Sequence, residues 1–131
     1  MTRRSIGFAA ALAVGMFALS GARAATITTD DFQLATTANL VALCNAPDTD
    51  PLYTPARNFC HGFAVGTYRA VEIQAAASRA KHKMFCLTGG GLTRDQAIAA
   101  FVAWAKDRPK TLQSSPTDGI IEYLAAQYPC K

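Results

Sequence analysis

The chain has 131 residues, with 13 basic and 9 acidic side chains for a net charge of +4. Arg3, Arg4 and Arg23 belong to an N-terminal export pattern, and without them ten basic residues face nine acidic ones. That near balance removes the main support for nucleic-acid binding.

Residues 1–24 read as a cleaved signal peptide. Arg3 and Arg4 form the positive start, Ile6 to Leu19 an apolar run, and Ala22-Arg23-Ala24 a small-x-small cleavage site. The run falls short of the ~20 residues a membrane span needs, so no stable insertion is expected after cleavage. The remaining residues, 25–131, fit one domain. Its core is small and would gain from covalent staples. Cys44, Cys60, Cys86 and Cys130 all follow the signal. An even count in an exported chain points to two disulfides rather than free thiols, and the bacterial style of the signal points to the periplasm.

Ala25 to Thr29 is a polar lead-in, and Asp30 with Gln33 reads as the capped start of a first helix over 31–44. Phe32, Ala35, Leu40, Leu43 and Cys44 recur at helical spacing. Pro47, Pro51 and Pro55, with Asp48 and Asp50, make 45–55 an irregular loop. The second helix is expected over 56–79. Phe59, Phe63, Ala64, Val65, Tyr68, Ala70, Val71 and Ile73 lie nearly all round it, which predicts a helix buried in the middle of the domain. Gly62 and Gly66 each cost on the order of 1 kcal/mol against alanine in a helix. Close approach of another backbone is the expected return, so Gly62→Leu should overpack the fold.

Lys81-His82-Lys83 is a basic corner, and Met84 to Leu87 a short apolar strip pinned through Phe85 and Cys86. Gly89-Gly90-Gly91 permits a sharp turn. No lysine or serine follows at the spacing of a phosphate-binding loop. Thr93-Arg94-Asp95-Gln96 matches a capping box and opens a third helix to Lys106. Ile98, Phe101, Val102 and Ala105 should face the core, with Trp104 in the core or at a groove edge. After Asp107-Arg108-Pro109, Ser115-Pro116-Thr117-Asp118 starts the last main helix. Its stripe is Ile121, Leu124 and Tyr128, widened by Ile120. The fold expected is all-α, a small disulfide-stapled bundle of about four main helices.

Chemistry is sparse. Cys60, His61, His82 and Cys86 could be assembled into a zinc set, but adjacent helical residues diverge by about 100° and export favours oxidised cysteines. No C-x-x-C-H supports covalent haem, so neither metal nor cofactor is expected. Paired cysteines cannot attack a substrate, no serine sits in a G-x-S-x-G elbow, and the carboxylates are scattered. A non-enzyme is the expectation. An up-down bundle favours Cys44–Cys60 with Cys86–Cys130. The rival, Cys60–Cys86 with Cys44–Cys130, stays open, because the seven residues from Ala80 to Cys86 span about 23 Å when extended.

Cys44 ending a first helix, the run Cys60-His61-Gly62-Phe63-Ala64-Val65-Gly66, Phe85-Cys86, and the terminal Tyr128-Pro129-Cys130 together carry a family pattern. The chain resembles the Rap/Tai family of periplasmic immunity proteins. The resemblance implies an all-helical, disulfide-bonded domain, commonly a homodimer, that inhibits a cell-wall amidase toxin delivered by type VI secretion. Two positions depart from the pattern. Thr88 stands where relatives often have proline, and Arg69 where they often have aspartate. The matched positions are scaffold residues, so partner contacts are sought in loops. Leu52 and Tyr53 in the proline-rich loop and Lys81, His82 and Lys83 at the basic corner are the candidates. The alternative function is a stand-alone periplasmic helical module binding a small ligand or unfolded proteins.

Overall fold

The computed structural model describes residues 26–77, 83–87 and 92–130. The export pattern, Lys81, His82, the triple glycine, Thr88 and Lys131 lie outside the described residues. A 3-10 turn, Thr29–Gln33, is followed by α1 (Thr37–Cys44), α2 (Tyr53–Ala77), α3 (Arg94–Lys106), α4 (Pro109–Gln113) and α5 (Pro116–Gln127). No strand occurs among the described residues. The all-α, disulfide-stapled expectation holds, with one short helix more than the sequence suggested.

The expected first helix is split. Leu34 adopts a left-handed φ of 50°, which no right-handed helix can contain, and each half has its own cap. Thr28 donates its backbone N–H and its hydroxyl to Asp31, both at 2.9 Å, and Thr36 does the same to Asn39, both at 3.0 Å. Asp30 and Gln33 are not the capping pair. The Asn39 amide then donates back to Asp31 at 3.1 Å, joining the halves. The lead-in is less polar than its composition suggests. Ile27 is buried, and its N–H donates to the buried Asp50 carboxylate at 2.9 Å. Asp50 also accepts from Leu52 N–H at 2.8 Å, so it fastens the lead-in to the proline-rich loop.

α1 is the middle of the domain. It touches α2, α3, α4 and α5, and Thr37, Leu40 and Leu43 are fully buried on it. Thr37 N–H donates to Ser114 O at 2.8 Å. Its hydroxyl reaches Ser115 O at 2.8 Å and Ser114 O at 3.2 Å. A buried hydroxyl without such partners would be costly, and here it is well supplied.

α2 does not hold the buried central place expected of it. It starts at Tyr53, with Pro55 tolerated in its first turn. Only Ala56 and Cys60 are buried along its 25 residues, while Phe59 and Ile73 are 40% and 69% exposed. Apolar composition all round a helix does not say how many neighbours surround it, and α2 is covered mainly on the stripe facing α1 and α5. Its glycines are open. A Cβ placed on Gly62 or Gly66 would meet nothing within 4 Å, so the close-packed face and the overpacking of Gly62→Leu are not features of this fold.

The close approach occurs at Gly119 on α5, where an added Cβ would collide with the Thr37 side chain. The buried stripe of α5 is Gly119, Ile120 and Tyr123. It is turned by about one residue from the expected Ile121, Leu124 and Tyr128, because Gly119 must face Thr37. Tyr123 packs edge-on against Phe101 at 5.6 Å and Trp104 at 5.5 Å, and burial pushes its hydroxyl pKa up to about 12. α4 is the unexpected helix. Pro109, read as a stop, is its tolerated first residue.

Local signals at α3 and α5 hold as expected. Thr93 Oγ1 accepts from Gln96 N–H at 3.3 Å and Thr93 N–H donates to Gln96 at 2.8 Å. Ser115 caps α5 through Asp118 N–H at 3.2 Å. Ile98, Phe101, Val102 and Ala105 are buried. The disulfides are Cys44–Cys60 and Cys86–Cys130. The second pins the irregular strip, where Phe85 is buried and Cys86 N–H donates to Tyr128 O at 2.8 Å.

Two substitutions separate these roles of glycine. Gly119→Ala should lower stability by about 1–3 kcal/mol through overpacking. Gly62→Ala should raise it by up to ~1 kcal/mol through helix propensity. Urea denaturation of both variants checks the opposite signs.

Candidate functional site

An open cleft of about 450 Å³ lies where the end of α1, the first turns of α2 and the length of α3 meet. Its floor is backed by the buried Leu43, Ile98 and Val102, with Ala46, Ala99 and Ala103 beside them. Small side chains on the α3 face keep the cleft from filling. Cys44 forms part of one wall and its disulfide to Cys60 fixes that wall to α2.

The polar rim comes from helical spacing. Tyr53, Arg57 and His61 follow at intervals of four on α2 and therefore share a face. Across from them Asp95 stands in the first turn of α3, where a carboxylate also suits the helix dipole. Arg57 Nη2 donates to Asp95 at 2.8 Å and His61 Nε2 lies 3.0 Å from its other oxygen. Arg57 Nη1 donates to Tyr53 Oη at 3.1 Å. The hydrogen bond from Arg57 holds the Asp95 carboxyl below the usual carboxylate range, and Asp95 raises Arg57 in turn. Lys106 lines the cleft at the far end of α3, and no ion pair among the described residues involves it.

Of the residues chosen from the sequence, Tyr53 lies at this cleft. Leu52 packs half-buried against the core instead. Lys83 is exposed and acts electrostatically on Glu72 rather than on the cleft. Lys81 and His82 lie outside the described residues. Arg57, His61, Asp95 and Lys106 were not read as one cluster, His61 entering only the zinc set and Asp95 only a cap. The i, i+4 spacing of the first two was visible, but the partner on α3 depends on how two distant helices dock. The expected local pair of Arg69 with Glu72 is present at 2.8 Å, away from the cleft lining.

Among the described residues no three His, Cys, Asp or Glu side chains gather, and Cys60 and Cys86, drawn together in the zinc set, belong to different disulfides. No helix among the described residues is long and apolar enough to cross a membrane. Fold and cleft together define a disulfide-stapled helical domain with an open, charged cleft. The model of the Rap1a immunity proteins matches residues 36–130. The chain belongs to this family of immunity proteins, whose members act against a toxin. No curated protein and no solved structure matches it.

Because Asp95 has a lowered pKa in the folded state, its clasp stabilises the fold above the ordinary carboxylate range and is lost as pH falls through the lowered value. Asp95→Asn should therefore show a smaller drop in melting temperature than the parent between about pH 6 and about pH 3. An unchanged acid limb would show that the clasp adds nothing to stability.

Proposed function

We propose that the chain is a periplasmic immunity protein that binds and inhibits a peptidoglycan amidase toxin delivered by type VI secretion, thereby protecting the producing cell. Family membership over residues 36–130 carries the reading. Two disulfides suit an oxidising compartment, as does the export pattern of residues 1–24. Inhibition is by binding rather than by chemistry. All four cysteines are consumed in disulfides, and His61 faces a carboxylate already held by Arg57.

Self-association belongs to the same reading. Phe59, Gly62, Gly66, Ala70, Ile73 and Ala77 follow at steps of three, four, four, three and four residues, which keeps them on one helical stripe, and all six are exposed. Packing such a row against its copy in a homodimer would bury Ile73 and Phe59 and use the open glycines for close approach. Ile73→Glu should convert a dimer to a monomer in light scattering without lowering the helical signal. A parent protein that is monomeric at high concentration would remove the homodimer from the proposal.

The direct test is binding. The mature domain should form a stable complex with a secreted amidase encoded beside it and abolish its release of cell-wall fragments. Cells lacking the protein should lyse when that amidase reaches their periplasm. A full rate of cleavage in the presence of excess domain would sink the reading. It would leave the alternative, a helical module that takes a small ligand or unfolded chains.

A further inference from the structure

We infer that the cleft between α1, α2 and α3 is a socket for an apolar side chain flanked by carboxylates on a partner protein. Its floor is uncharged, with Ala46, Ala99 and Ala103 presenting hydrocarbon over the buried Leu43, Ile98 and Val102, and these small side chains leave room. A cleft of about 450 Å³ is ligand-sized and accommodates one large side chain with its neighbouring backbone. Its rim carries two permanent cations, Arg57 and Lys106, against the single carboxylate of Asp95. Asp95 is already engaged by Arg57 and His61, so its repulsion of an incoming anion is largely offset. Arg57 keeps 46% of its side chain exposed while making that pair, and Lys106 has no ion-pair partner among the described residues. With Arg57 already paired, the rim keeps an excess of one positive charge, centred on Lys106, that attracts an acidic segment and repels a basic one.

The socket is also held in shape from outside the binding event. The Cys44–Cys60 disulfide fixes α1 to α2, and the exposed Arg57–Asp95 pair spans α2 and α3. Binding therefore demands little reordering, which favours affinity. Naming the toxin as the carrier of this segment rests on the proposed function; the chemistry of the socket does not.

Titration of the labelled domain with acetyl-Glu-Leu-Glu-amide, followed by amide NMR, tests the socket without any toxin. Saturable shifts are expected in 43–46 and 95–106, weakened at high salt, with no comparable response to acetyl-Lys-Leu-Lys-amide. Absence of saturation, or an equal response to the basic peptide, overturns the inference. Ala99→Phe, on the exposed side of α3, should fill the socket and block the acidic peptide without changing the rim charge while the melting temperature stays unchanged, and Lys106→Glu should abolish its preference. With an amidase that the parent binds, both variants should lose at least tenfold in affinity. Parent-like affinity in both would refute the socket as the toxin site and leave the immunity role standing. If the parent binds no amidase, the amidase target fails and the peptide titration alone judges the socket.

Discussion

The domain depends on the seating of an eight-residue helix. α1 is too short to be stable alone, yet it lies at the centre and every other helix leans on it. Its entry is fastened by Thr37, whose N–H and hydroxyl occupy the carbonyls at the junction of α4 and α5. Gly119 makes the fit by having no side chain where Thr37 stands. The exit is fastened by Cys44. Between those two points Leu40 and Leu43 are fully buried, and fully burying a leucine is worth about 1.5–3 kcal/mol. Fixing both ends is what makes so short a segment an effective centre.

Covalent links compensate for the small core. In the chain-entropy view, closing separations of 16 and 44 residues restricts the unfolded chain by about 3 and 4 kcal/mol. The first link sits inside the core at Cys60. The second ties an otherwise irregular strip to the chain end, where Phe85 also stacks near Tyr68 at 6.0 Å. The remaining apolar surface is then free to lie on α2 without being needed for the fold.

Legibility in the sequence followed the range of the interaction. Thr93 with Gln96 and Ser115 with Asp118 were readable because a cap is decided within four residues. The core positions of α3 were readable because their period is clean. α2 was misplaced because its composition reports hydrophobicity, whereas burial depends on how many neighbours arrive. The phase of α5 and the existence of α4 turn on the Thr37–Gly119 contact and on a proline that begins a helix rather than ending one. Family identity was legible in the order of cysteines and glycines. The Arg57–Asp95–His61 rim was not, since it joins residues 38 apart in the case of Arg57 and Asp95.

The two disulfides close separate rings that do not overlap along the chain, one from Cys44 to Cys60 and one from Cys86 to Cys130. A single cut inside either ring leaves its fragments joined. Between them, from His61 to Phe85, no covalent bypass exists, so one scission there divides the molecule into two chains. One would carry α1 with at least the start of α2, and the other α3 to α5. The cleft, whose walls come from both, would then survive only on the strength of noncovalent packing across the break.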